Sequence, residues 1–186
     1  MPRGTAAALA LGPGYLYHAV SLSTTEPTDL VTAWTAVSVN WVALGYTDAG
    51  SEFGYQLNTD PVDVAEELDP ILNSPTGRTA SVKFNLSEVT ASNLKRASNG
   101  GTIVTGTGIV TYEPPDLGTE NRCMIGFESE DHTERWVFRQ CIMTGQLSIP
   151  RQKGASNATL ACEFQLEKPA SGARLYKTIM TAPLRQ

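Results

Sequence analysis

The sequence predicts a mainly β protein: two packed antiparallel sheets, a sandwich or open barrel, with one short flanking α-helix. Three observations carry this. Several segments alternate apolar and polar residues with the two-residue period of a strand. A single segment has the caps and spacing of a helix, and Pro-, Gly- or Ser-rich turns punctuate the remainder. With 186 residues, 41% of them hydrophobic and 18% charged, the chain is long enough for one domain with a sizeable core. We divide it into a flexible N-terminal arm, residues 1–14, and a single domain, residues 15–182.

The opening "MPRGTAAALALGPGYLY" has one arginine and a short, weakly apolar run ended by Gly-Pro-Gly, which reads as an arm rather than a signal peptide. No run approaches the ~20 apolar residues of a membrane-spanning helix. "YLYHAVSL" then alternates Leu16, His18, Val20 and Leu22 against Tyr15, Tyr17, Ala19 and Ser21, a strand. "STTEPTDLVTAW" follows as a loop with Pro27 and Asp29 as turn formers. "WVALGYTDAGSEFGYQL" reads as two strands around the turn "TDAGS", with Phe53, Tyr55 and Leu57 on one side of the second.

Residues 58–78 interrupt this pattern. Pro61, Pro70 and Pro75 exclude a continuous central strand, and the segment is too long for an ordinary hairpin turn, so we expect a long loop. "TASVKFNL" resumes with the clearest alternation in the chain: Ala80, Val82, Phe84 and Leu86 inward, Thr79, Ser81, Lys83 and Asn85 outward.

"EVTASNLKRASNGG" is the helix. Thr90 is its N-cap, Val89 and Leu94 are spaced for a hydrophobic staple, and Gly100 and Gly101 stop it. Lys95 and Arg96 suit its C-terminal dipole. Five further strands follow, in "GTIVTGTGIVTYE", "RCMIGFES", "ERWVFRQCIM", "NATLACEFQLE" and "RLYKTIM", with "SEDHT" as a hairpin tip.

Chemistry is sparse. His18 and His132 are the two histidines, and neither HExxH nor another paired-His spacing occurs. His18 lies on the apolar side of its strand and reads as a core residue. His132 has carboxylates beside it, as a solvated hairpin tip does and as a metal site would. "GGTIVTGTG" lacks the Lys-Ser/Thr end of a phosphate-binding loop. Cys123, Cys141 and Cys162 are odd in number and widely spaced, which points to buried reduced thiols rather than a disulfide framework. We therefore expect no catalytic residues, no metal and no cofactor.

Charge is more informative. The net charge of −5 disfavours a general nucleic-acid binder. Residues 1–77 hold one basic and nine acidic residues, net −8, and residues 78–186 hold thirteen basic and ten acidic, net +3. Five of the acids, Asp60, Asp63, Glu66, Glu67 and Asp69, fall in residues 58–78 before Arg78. They lack the spacing of an EF-hand. Two readings stand: carboxylates that solvate a loop, or a patch that attracts the basic half of another copy head to tail, a contact that closes into a ring or continues as a filament.

"WVALGYTDAGSEFGY", "TDPVDVAEELDPI" and "PTGRTASVKFNLSEVTASNLKRASNGG" resemble the major tail proteins (tail tube proteins) of long-tailed, non-contractile phages, the siphoviruses, particularly those infecting actinobacteria. The resemblance covers about residues 14–112 and continues more loosely beyond. It implies the phage tail tube fold and a structural virion protein, not an enzyme. Its subunits would form hexameric rings, stacked by helical assembly into a conduit for genome ejection. Implied partners are other copies of itself, the tape-measure protein in the lumen, tail terminator and distal tail proteins at the ends, and DNA in transit without specific binding. No membrane partner is implied, and the location is the virion tail, assembled in the host cytoplasm.

Carried onto this sequence, the resemblance makes residues 58–78 an assembly loop, with Asp60, Pro61, Asp63, Glu66, Glu67, Asp69 and Arg78 at the subunit interface. DNA must slide without sticking, so the lumen is expected to be polar and neutral or negative. Glu52, Gln56, Asn58, Ser81 and Asn85, on the outward sides of the strands flanking the loop, are the lumen candidates. Lys83 shares their side and departs from that expectation. A secretion-system ring protein is an alternative with the same architecture, and an all-β carbohydrate-binding or hydrolase domain is one from a different class.

Overall fold

The computed structural model describes residues 14–62, 69, 71–150 and 158–181, so nearly all of the expected N-terminal arm lies outside the described residues. In chain order the elements are β1 (Gly14–Ala19), α1 (Trp34–Val37), β2 (Val42–Ala43), β3 (Thr47–Val62), β4 (Leu72–Leu86), α2 (Ala91–Ala97), β5 (Thr102–Gly106), β6 (Ile109–Glu113), β7 (Cys123–Ser129), β8 (Glu134–Met143), β9 (Leu160–Leu166) and β10 (Tyr176–Met180). The protein is mainly β with two antiparallel sheets and few helices, as the alternation predicted. Among the described residues no helix is long and apolar enough to cross a membrane.

The large sheet runs β2-β1-β7-β8-β9-β4-β3, and β5 with β6 makes a separate two-stranded sheet. Strand β8 is the pivot. One of its edges pairs with β7; along the other, Glu134 to Phe138 pair with β10, and Cys141 to Met143 pair with β9. The sheet therefore forks at β8 and folds over itself. Three strand spacings separate β3 from β8 along the ladder, roughly 14 Å if the sheet were flat. Yet the Phe53 ring of β3 lies 5.3 Å from Trp136 and 5.2 Å from Phe138 on β8, and 5.1 Å from Tyr176 on β10. Curling closes the sheet into two layers over a shared core, with β8 serving both.

That core follows the predicted alternation. Ala80, Val82, Phe84 and Leu86 are all buried, and Leu160, Cys162, Phe164 and Leu166 of the neighbouring strand join them. The three cysteines are free and buried, and burial pushes the Cys123 and Cys162 thiols up to about 12. The helix α2 has the expected caps: the Thr90 hydroxyl accepts from the Asn93 N–H at 3.2 Å, and Gly100 and Gly101 take positive φ beyond its end.

Three expectations need correction. First, "TDAGS" is no turn between two strands. It is a bulge at the start of β3, where the register with β4 shifts between Asp48 and Ser51 and Gly50 has φ +81; β2 pairs instead with β1.

Second, "STTEPTDLVTAW", residues 23–34, read as loop, runs into the extra turn α1 and contributes Trp34 to a second apolar cluster. Trp34 and Trp41 pack with Ala19, Met124 and Val137 on the outer face of β1-β7-β8. Gly126 makes this possible, because a Cβ there would sit 2.4 Å from the Trp34 ring. Gly126→Ala is expected to cost about 1–3 kcal/mol through overpacking. The measurement is the urea midpoint at constant m value; an unchanged midpoint would mean that Trp34 can retreat.

Third, residues 58–62 and 72–78 are strand. Asp60 pairs with Ser74, Pro61 with Asn73 and Val62 with Leu72, so β3 and β4 continue as a two-stranded ribbon. Because β4 meets β9 only over Ser81 to Leu86, Leu72 to Ala80 run past it, a reach of roughly 30 Å at 3.3 Å per residue. A proline is excluded from a central strand because it lacks a donor, but a ribbon with open outer edges tolerates it. The register shift between Asn58 and Thr59 takes up the extra residue beside Pro75.

Candidate functional site

Pairing decides which side chains share a face. Directly opposed residues point the same way, and alternate residues along a strand return to that side. Glu52 stands opposite Lys83, Gln56 opposite Thr79, Asn58 opposite Gly77, Ser81 opposite Gly54, and Asn85 opposite Asp48. All five lumen candidates therefore lie on one face of the β3-β4 pair, with Phe53, Ala80 and Val82 on the other. On the far side of β4 the face continues: Glu163 is opposite Lys83, and Gln165 opposite Ser81. A shallow hollow of about 390 Å³ opens there, lined by Gln56, Thr79, Ser81, Thr144, Glu163 and Gln165.

Lys83, which departs from the expected polar and neutral or negative face, is matched. Its Nζ is 3.1 Å from Glu163 Oε1, both side chains being about half exposed at 49% and 43%. An exposed pair of this kind adds little stability, but it cancels the one positive charge on the face. Asp48, Glu52 and Glu163 against Lys83 leave the β3-β4-β9 face net negative. Glu163 and Gln165 were missing from the expected set: the alternation of β9 gives their side of the strand, but no local signal says that β9 is the neighbour of β4.

The ribbon distributes the expected interface residues differently. Asp60 and Pro61 lie near its outer end and Asp69 is exposed, whereas Arg78 sits at its base opposite Leu57. Asp63, Glu66 and Glu67 lie outside the described residues. Arg78 is one residue from Thr79 and so points to the face opposite Gln56 and Ser81. The charge segregation seen along the chain is partly cancelled in space. Glu26 accepts from Arg139 and lies 3.9 Å from Lys177, and Asp29 lies 3.9 Å from Arg135. No ion pair reaches Asp60 or Asp69 among the described residues.

A buried polar centre lies apart from both features. The Glu128 carboxylate accepts from Trp34 Nε1 at 2.9 Å and from Arg135 Nε and Nη2 at 2.9 and 2.6 Å, and it faces His132 Nδ1 at 2.9 Å. Arg135 also donates to the carbonyls of Asp29 and Thr32. Every group is engaged in holding residues 29–34 to the sheet, and His132 belongs to this structural knot. Among the described residues no group of three or more His, Cys, Asp or Glu side chains is placed to hold a metal.

A curled sheet with a polar, net-negative face, an edge strand β3 and a two-stranded ribbon, without a metal-holding cluster among the described residues, has the features of a structural protein of the assembling class. The family model described as phage tail tube protein matches residues 1–181, and the chain belongs to that family. No curated protein matches it. The protein is thus a structural component of a phage tail, self-assembling into a tube with other tail components.

Proposed function

We propose that the chain forms hexameric rings that stack into the tail tube of a long-tailed, non-contractile phage. Assembled in the host cytoplasm, the tube surrounds the tape-measure protein, is closed by terminator and distal tail proteins, and later conducts the genome. The role is physical, with no catalytic step. The observation that supports this most is the β3-β4-β9 face, which we take as the lumen. Its carboxylates repel phosphate, its hydroxyls and amides form only short-lived hydrogen bonds, and its one ammonium is already paired with Glu163. Edge strand β3, an aggregation hazard in a monomer, becomes the place where the next subunit continues the sheet.

Negative-stain microscopy of the purified protein is expected to show rings or tubes, and a monomer at every concentration would overturn the proposal. The lumen assignment has its own test. Tubes of Glu52→Lys/Gln56→Lys, assembled with short duplex DNA at low salt, are expected to carry it down on sedimentation at least tenfold more than wild-type tubes. Equal retention by the two would remove the assignment.

A further inference from the structure

At the base of the ribbon, on the side away from the polar face, lies a cleft of about 420 Å³ whose charge is opposite to that of the ribbon's end. Tyr55 and Arg78 line it from the ribbon, and Arg139, Arg174 and Lys177 from β8, β10 and the segment before β10. Two of the four cations are committed within the chain. Arg139 binds Glu26 through Nε and Nη2, and its Nη1 donates to the Arg174 carbonyl at 3.0 Å; Lys177 Nζ donates to the Pro27 carbonyl at 2.9 Å. Arg78 and Arg174 are exposed and have no ion pair among the described residues. Among the described residues Glu26 is the one carboxylate paired with any of these four cations, which leaves the cleft a positive excess.

The geometry points to this cleft as the receptor for the acidic end of the ribbon of a second copy, an inference that rests on the tube reading and specifies the contact within it. Charge complementarity selects the occupant. Asp60 and Asp69 bracket an end that contains no basic residue in sequence. Apolar surface matches as well: Val62, Ile71 and Leu72 are exposed near the ribbon's end, and Tyr55 and Leu57 are exposed beside Arg78. Among the described residues no ion pair joins the two patches within one chain. The Asp60–Ser74 and Leu57–Arg78 pairs stand at different positions of the same ladder. Donor and receptor are different patches of one protein, so the contact is heterologous and repeats from copy to copy. It also leaves the polar face clear, because Arg78 points to the opposite side of the ribbon from Ser81.

The test uses the full-length protein. Arg78→Glu/Arg174→Glu is expected to lower sedimentable polymer at least tenfold while leaving the thermal midpoint of the subunit unchanged, since both side chains are exposed. Asp60→Lys/Asp63→Lys/Glu66→Lys/Glu67→Lys/Asp69→Lys, which reverses all five charges of that end, is expected to do the same, and the chain carrying both sets of changes to recover polymer. Recovery in the swapped chain supports the docking. Wild-type polymer yield from the arginine variant overturns it while the tube reading stands, as does loss without recovery in the swapped chain. An arginine variant that still polymerises but no longer retains a short oligonucleotide would assign the cleft to phosphate and also overturn it. If the wild-type protein itself never polymerises, the tube reading fails and the docking fails with it.

Discussion

Glu128→Ala is expected to destabilise the protein by about 3–5 kcal/mol, the usual cost of stripping a buried cation of its partner. Arg135 is 2% exposed and Glu128 4%, so water cannot replace the lost carboxylate. The damage extends beyond the pair. Trp34 loses the acceptor of its indole N–H, and Tyr17 the group its hydroxyl approaches at 3.4 Å. Arg135, still bound to the Asp29 and Thr32 carbonyls, would have to draw water in or pull residues 29–34 away from β1-β7-β8. Glu128→Gln, which keeps an acceptor but no charge, is expected to lose less. Replacing both partners with apolar residues of similar volume is expected to recover much of the loss, because the pair itself bears a desolvation cost. Urea unfolding of the three variants measures this, and a loss below about 1 kcal/mol for Glu128→Ala would show that the pair is not structural. For a tube subunit the consequence is concrete. Trp34, Trp41 and Met124 would be uncovered on the outer face of a layer, and such a patch associates without register.

What the sequence could and could not reveal follows from how far each interaction reaches along the chain. The pleat sets the side of every residue in β4, so Ala80 to Leu86 were assigned correctly from alternation alone. The N-cap at Thr90 and the glycines after α2 are local signals and equally legible. Pairing partners are not local. Nothing near Lys83 announces Glu163, eighty residues on, yet that neighbour turns Lys83 from an objection into a neutral part of the polar face. The prolines misled for a different reason. The rule against proline in a strand holds where both edges are paired, and the ribbon beyond β9 has open edges. The Trp34 and Trp41 cluster was missed because turn formers such as Pro27 and Asp29 dominate the segment that ends at Trp34, and because Trp41 reads in sequence as the start of a strand. Of the acidic run, Asp60 lies on the paired ribbon rather than on a loop, and Arg78 and Arg174 line a cleft at that ribbon's base.

Acidification is expected to destabilise the subunit through His18 before it reaches the carboxylates. The imidazole is 5% exposed on the inner side of β1, and burial, with a smaller contribution from the Arg96 guanidinium, lowers its pKa from 6.5 to about 4. In the unfolded chain it titrates near 6.5, so between pH 6.5 and 4 the unfolded state binds the additional proton and stability falls as pH falls. The loss should reach about 3 kcal/mol at pH 4 and vanish above pH 6.5. Arg96 cannot easily withdraw to relieve the charge, because its Nη1 is tied to Asn93 Oδ1 at 2.7 Å, and Asn93 in turn donates to the carbonyls of Leu44 and Glu88. His18→Gln is expected to flatten the slope of unfolding free energy between pH 6.5 and 4 whatever it does to the absolute value at pH 7. A variant with the wild-type slope would place the titrating group elsewhere. Arg96→Met should recover only a small part of the loss, since desolvation is the larger cause. Assembled subunits offer a further contrast: His18 is buried within the chain, so the slope should persist in tubes even though docking raises the midpoint at every pH.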